Sequence, residues 1–290
     1  KIPILVLHPQ IGDFKSIFQH DLEPNIYSFK ILNEFINYKS INHDQPIHLK
    51  FNTGLNRLGF KYSDINTLCG IITSNNINIK YIFSHLGASE DLSEIQFTES
   101  QIKLFEKISE DMEKKLNRRI DKHLLNTSGI LNFSDYQYNM VRSGIGLYGF
   151  GNDYNYKSNL KPVVSLISTI SQIHEIKEGE SVGYNRGFIA DKNTIVGIVP
   201  IGHADGISRA LGNRKGKLLV NNVPCDIIGN VCMDMLMIDI SSVDCNEGDE
   251  VIVFDEEKQT AEDFSKYSDT ISYEILTSIS QRIRRTYLSD

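Results

Sequence analysis

The sequence predicts two domains in tandem, an α/β domain and an all-β domain. The first is a partial (β/α)8 barrel of the TIM type with about six of eight strands; the second is a C-terminal β-domain. Three observations lead there. In residues 1–150, short apolar runs alternate with amphipathic stretches of helical period. From Lys161 on, β-branched runs recur between turn signals such as Glu178-Gly179-Glu180, Asn221-Asn222 and Glu247-Gly248-Asp249. Between the two lies Gly151 to Asn159, polar and turn-rich without an apolar period. The boundaries are therefore 1–152 and 161–290.

Pro3 to Leu7 reads as a buried strand, followed by a helix from Asp13 to Leu22 with Phe14, Ile17 and Phe18 on one face. Glu23 to Tyr27 is a weak strand. Ser28 then caps a helix whose apolar face is Phe29, Ile31, Leu32, Phe35 and Ile36. Strands are expected at Ile47 to Asn52 and Ile79 to Leu86, with a helix from Ser63 to Ser74 between them. The helix from Phe97 to Leu116 carries the stripe Ile102, Phe105, Ile108 and Met112. Asp121 to Asn126 and Tyr138 to Arg142 complete six strands where a closed barrel needs eight. Because the first residues already form a core strand, the expectation is a chain that enters its barrel part-way. In the second domain, strands are expected within Val163 to Ile176, Ile195 to Ile201, Lys217 to Val220, Cys225 to Ile228, Met235 to Ile240 and Glu250 to Phe254, before a helical tail.

Composition narrows the function. With 290 residues and 40% hydrophobic content the chain can bury a substantial core. A net charge of −7 argues against nucleic acid or an anionic membrane as the main partner. No apolar run approaches a membrane span, and the opening apolar run is too short for a signal peptide. Four cysteines without Cys-x-x-Cys spacing or a matching histidine pattern read as reduced cytoplasmic thiols, with no metal site.

In a barrel of this kind the chemistry gathers at the carboxyl ends of the strands. Four successive ends carry polar groups: Lys50 and Arg57; His85; Asn126-Thr127-Ser128-Gly129; and Arg142-Ser143-Gly144-Ile145-Gly146. Taken singly, Thr53, Asn126 and Ser128 are ordinary helix caps and His85 a satisfied histidine; the coincidence is what counts. Arg142 supplies a fixed cation, and glycine turns let backbone amides approach an anion. In the second domain, Tyr184 stands in Gly183-Tyr184-Asn185, and His203 and Asp205 in Gly202-His203-Ala204-Asp205-Gly206. Cys232-Met233-Asp234 offers a thiol, a thioether and an acid. A Cys232–His203–Asp205 hydrolase is conceivable, but no flanking pattern supplies an oxyanion hole.

Taken in order, Leu49 to Phe60, Phe83 to Ser89, Asn126 to Gly129, Asp135 to Gly149, Val182 to Tyr184, Pro200 to Gly206, Gly229 to Asp234, Ser272 to Glu274 and the Arg282-Ile283-Arg284 tail resemble alanine racemase, a pyridoxal 5'-phosphate family. The resemblance implies interconversion of L- and D-alanine by two-base proton transfer for peptidoglycan synthesis, in a homodimer with sites shared between chains. It implies Arg142 at the pyridine nitrogen, and Thr127, Gly144, Ile145 and Tyr273 at the phosphate. Tyr184 becomes one base, with His85 hydrogen-bonded near it. Arg57 and Met233 meet the substrate carboxylate. Lys50 matches a lysine that is often carbamylated to hold that arginine. Thr127 stands for the family's serine, Asn52 for its aspartate and His203 for a tyrosine lining the substrate entrance. The family's beginning, with the lysine that carries the cofactor, is not matched, so this chain is expected to be inactive alone. The parent could also be a ligase–racemase fusion. A related barrel decarboxylase would want an acid in place of Arg142. A non-catalytic binding or assembly module would not need Tyr184, Arg142 and Arg57 together.

Overall fold

The computed structural model describes residues 2–39, 44–151 and 160–288. Two compact units emerge: Lys1–Leu147 with Gly151–Lys157, and Tyr148–Phe150 with Ser158–Asp290. Most of the linker expected at 151–159 lies outside the described residues.

The first unit is a parallel sheet whose strands follow chain order: β1 (Leu5–Val6), β2 (Glu23–Ile26), β3 (Ile47–Lys50), β4 (Ile79–Phe83) and β5 (Asp121–His123). Between them run α1 (Phe14–Gln19), α2 (Phe29–Tyr38), α3 (Ile65–Ser74) and α4 (Ile95–Leu116), and α5 (Thr127–Asn132) follows. Local chemistry sets the helix ends. Ser28 Oγ accepts from the Ile31 amide at 3.3 Å, and α4 stops at Asn117, whose φ of +49° tolerates the left-handed turn.

Alternation along the strands sends Ile47, Leu49 and Ile82 into the apolar core with Phe14, Leu32, Phe35, Leu68 and Phe105 from the helices. The intervening positions occupy the other face: Asn25, His48, Lys50, Phe83 and His123, all buried. A parallel strand is usually apolar on both faces. Here one face is polar and aromatic.

Two irregularities shape that face. Between β3 and β4 the register runs Ile47↔Ile79 and then His48↔Tyr81, which leaves Lys80 out of the pairing and re-aims its side chain. The sixth strand, expected at Tyr138 to Arg142, is reduced to one bridge, His123↔Met140. The reason is local. Tyr138 sits at φ +46°, and the Asn139 side-chain oxygen takes the Lys122 amide at 2.9 Å, where a ladder carbonyl would stand.

The second unit contains β6 (Leu166–Thr169), β7 (Gln172–Ile176), β8 (Ser181–Val182), β9 (Phe188–Ile189), β10 (Thr194–Val199), β11 (Lys217–Val220), β12 (Val223–Ile228), β13 (Leu236–Asp239) and β14 (Glu250–Phe254). The helices α6 (Ala261–Lys266) and α7 (Ser272–Ser278) follow. Seven strands make an antiparallel sheet in the order β6-β14-β11-β12-β13-β10-β7; β8 and β9 form a separate hairpin that the sequence reading missed. The run Val163 to Ile176 divides because successive amides serve different strands. Ile170 donates to Asp249 at 2.9 Å and Ser171 to Ile198 at 2.8 Å. At the start of this unit, Gly149 (φ +86°) lies so close to Lys161 that a Cβ would stand 1.9 Å from its carbonyl oxygen, and Phe150 is buried.

Candidate functional site

The polar strand ends of the first unit converge on Arg142. Its amide donates to the Leu125 carbonyl at 2.9 Å, which carries the side chain just past the end of β5. Nη2 donates to the Ser84 carbonyl at 2.8 Å and the Leu124 carbonyl at 2.9 Å, and reaches His85 Nδ1 at 3.3 Å. Nη1 donates to His123 Nδ1, and the guanidinium carbon lies 5.3 Å from the centre of the Phe83 ring. Burial lowers the Arg142 pKa to about 10.

That buried cation governs its neighbours. His85 is pushed down to about 4, first by burial and then by Arg142, Arg57 and Lys50, so its imidazole is neutral. Lys50 falls to about 8 through burial, Arg57 and Arg142, and its ammonium sits 5.5 Å from the centre of the Phe83 ring. Arg57 is exposed on the loop between Phe51 and Phe60. Asn52 organises that loop: its side-chain oxygen accepts from Gly54 at 3.1 Å and Asn56 at 3.0 Å. Gly59, at φ +131°, would put a Cβ 2.5 Å from the Asn52 nitrogen.

Thr127 opens α5, where Asn126 caps the helix through the Gly129 amide at 2.9 Å. Its hydroxyl oxygen accepts from the amides of Gly144 at 3.0 Å and Gly146 at 3.3 Å. The Gly144 amide therefore does not point freely outward. It already serves Thr127, whose own hydroxyl proton is left to donate. Gly146 must lack a side chain, because a Cβ would meet Thr127 Cγ2 at 2.9 Å.

Behind Arg142 runs a chain of groups that sequence reasoning missed. His123 Nε2 lies 3.0 Å from His48 Nδ1, and His48 Nε2 lies 2.9 Å from Glu23 Oε2. Lys80 Nζ reaches Glu23 Oε1 at 2.6 Å. The signal was in the sequence: Glu23 with Asn25, and His48 with Lys50, are polar residues two apart in apolar strands.

In the second unit Tyr184, 70% exposed, and Met233, 59% exposed, line one cavity of 680 Å³ with His174, Cys232, Met235 and Met237. Asn230 Nδ2 donates to the Tyr184 carbonyl at 2.9 Å, which fixes the turn that presents the phenol. Met233 is held from below. The amides of His203 and Ala204 donate to the carbonyls of Cys232 and Met233, each at 2.9 Å. Gly202 packs so closely that a Cβ would lie 2.4 Å from both carbonyl oxygens.

The Cys–His–Asp arrangement is overturned. Asp205 is bound by Arg282 at 2.7 and 2.9 Å and by the Gly202 amide at 2.9 Å, while the Cys232 thiol donates to the Asn230 carbonyl at 3.6 Å. Arg282 also reaches Asp234 at 2.5 Å, so Asp205 is a structural anion. His203 is exposed on its turn, and Tyr273 is half-buried on α7.

Residues 1–151 match the family model for the alanine racemase N-terminal domain, and residues 163–287 the model for the alanine racemase C-terminal domain. The chain is 32% identical to alanine racemase of Helicobacter pylori (strain HPAG1), over 99% of this chain and 80% of that protein. It is 34% identical to alanine racemase of Clostridium tetani (strain Massachusetts / E88), over 94% and 73%. A crystal structure of alanine racemase from Bartonella henselae with covalently bound pyridoxal phosphate superimposes with a TM-score of 0.88 at 27% identity, covering 99% of this chain and 79% of that one. The barrel and β-domain are thus those of the family. The expected inactivity of this chain finds no support in matches that take in nearly all of it.

Proposed function

Because this chain belongs to the alanine racemase family, we propose that it is a pyridoxal-phosphate-dependent enzyme interconverting L- and D-alanine. The observation that carries this reading is the state of Arg142. Of its five N–H groups, the two on Nη2 are shared among Ser84, Leu124 and His85, and one on Nη1 is directed at His123. Two remain for an acceptor, which suits a pyridine nitrogen. Thr127, with a hydroxyl proton left to donate beside Gly144 and Ile145, suits a phosphate. The residues present fit the cofactor, and Tyr273 is assigned to the same phosphate.

When bound, pyridoxal phosphate supplies the electron sink that makes the alanine Cα proton acidic. An arginine donates to the ring nitrogen without surrendering a proton, which tempers that sink and favours proton return over side reactions. Arg57 and Met233 bind the substrate carboxylate; Lys50 supports Arg57, and His203 lines the entrance. Tyr184 takes the proton from the L-alanine face through its phenolic oxygen. His85 receives an Arg142 N–H at Nδ1, so its neutral ring carries hydrogen on Nε2 and donates to the phenolate.

The same reading divides the chain into 1–152, which binds the cofactor, and 161–290, which carries Tyr184. It makes the enzyme a cytoplasmic homodimer supplying D-alanine for the cell wall, with Tyr184 serving the partner's barrel. Deuterium exchange at Cα in the holoenzyme tests it. Tyr184→Phe is expected to slow exchange from L-alanine by about 10²-fold or more, the usual worth of a positioned acid–base group. Undiminished exchange would remove Tyr184 from the reaction.

A further inference from the structure

We propose that Glu23, backed by Lys80, is a positioning residue that sets the proton direction of the buried chain Glu23–His48–His123–Arg142. The inference rests on the proposed function only in treating Arg142 as the group to be positioned. The direction itself follows from donor and acceptor chemistry.

The two ends of the chain are chemically one-way. A carboxylate only accepts and a guanidinium only donates, whereas a neutral imidazole has one of each. His48 Nε2, 2.9 Å from Glu23, must therefore carry hydrogen. Its Nδ1 then accepts, so His123 Nε2, at 3.0 Å, carries hydrogen too. His123 Nδ1 is left as the acceptor for Arg142. One arrangement satisfies every contact. Protonating either ring would set N–H against N–H somewhere along the line.

The surroundings hold that arrangement. His48 and His123 are 1% and 0% exposed, so water offers no alternative partner. Their rings stack on Tyr81 (4.8 Å) and Phe83 (4.4 Å), which opposes ring flips. Burial pushes both histidines down, His123 to about 2. Burial also pushes Glu23 up, but hydrogen bonds from Lys80 and His48 more than offset this and keep it ionised. Lys80 reaches it because the β3–β4 register leaves that residue out of the pairing. Every N–H points away from the site towards Glu23, so the chain braces Arg142 and has no proton to pass inward.

Imidazole nitrogen NMR on the full chain, labelled with ¹⁵N-histidine and without added cofactor, reads this directly. Both rings are expected as Nε2–H tautomers at pH 7, with no protonation down to about pH 5, below the usual histidine range. Because the Arg142 end imposes the same direction, the part played by Glu23 is isolated in Arg142→Met. The single tautomer should survive there at both rings, and be lost when Glu23→Gln, which offers His48 either an acceptor or a donor, is added. A protonated or Nδ1–H ring in the unmodified chain, loss of the single tautomer in Arg142→Met alone, or its persistence in the double variant overturns the proposal. Should that variant not fold, Lys80→Met at the rim serves instead. Loss of the cation should raise the pH at which the single tautomer breaks down, and a profile identical to the unmodified chain overturns the role of the pair. Failure here leaves the Tyr184 exchange test untouched, and failure there leaves these spectra untouched.

Discussion

Lys50 shows how far neighbours can change a side chain's chemistry. Burial and two arginines hold it near pKa 8, so about half is a neutral amine at that pH. A neutral amine attacks carbon dioxide, which is what a carbamate supporting Arg57 would need. With ¹³C-labelled bicarbonate at pH 8, a carbamate resonance is expected that disappears in Lys50→Met. Arg57→Gln should raise the Lys50 pKa by a fraction of a unit, measurable at its ε-carbon. The linkage has a definite sign. The folded pKa lies below the unfolded one, so between pH 8 and 10.5 the unfolded chain binds more protons and Lys50 makes stability rise with pH. Lys50, His85, Thr127 and Arg142 were legible in the sequence because strand ends are marked by glycine and polar punctuation. For Glu23 and His48 only the polar spacing was legible; their partnership with each other and with His123 spans 25 and 75 residues and depends on register, which no local pattern encodes.

At the scale of elements, the turn at residues 203–205 is the support on which Met233 rests. Gly202→Ala would force a methyl against the carbonyls of Cys232 and Met233. The expected result is a displaced Met233, with a several-fold higher KM for alanine and a lowered melting temperature in the holoenzyme; an unchanged KM would show that the Met233 carbonyl position is immaterial. Asp205 adds a pH signature. Burial raises its pKa, but Arg282 and the Gly202 amide hold it below the ordinary aspartate value. Its contribution is therefore full above the unfolded pKa and is lost as pH falls through the folded one. Asp205→Asn should lower the melting temperature near pH 7 and flatten its fall on acidification. Helices were legible from their apolar stripes, and β11 and β14 at both ends, because turns flank them closely. The sixth strand misled because Met140 and Val141 look like ladder residues, whereas the interruption comes from the Asn139 side chain and the φ of Tyr138.

For the whole molecule, the proposed sharing of sites between subunits can be counted. Pair Tyr184→Phe with Arg142→Met, each assayed first as a homodimer and each expected to be nearly inactive. On subunit exchange, half of the dimers are mixed, and one of their two sites combines an intact Arg142 with an intact Tyr184. About a quarter of the unmodified activity should return. No recovery, with exchange confirmed by differently tagged chains, would mean that each tyrosine serves its own barrel. The two-domain plan was legible from the change of period near residue 150. The allotment of residues 148–150 was not, because it depends on packing.

That allotment decides how the molecule can be cut apart. Tyr148–Phe150 belongs with the β-domain, and Gly149 is pressed against Lys161. An excision made at the apparent boundary, starting the β-domain at residue 161, would strip away this short stretch and with it the close approach of Gly149 to Lys161. A piece that keeps residues 148–150 should melt at a higher temperature than one that begins at 161, although both contain every strand of the sheet.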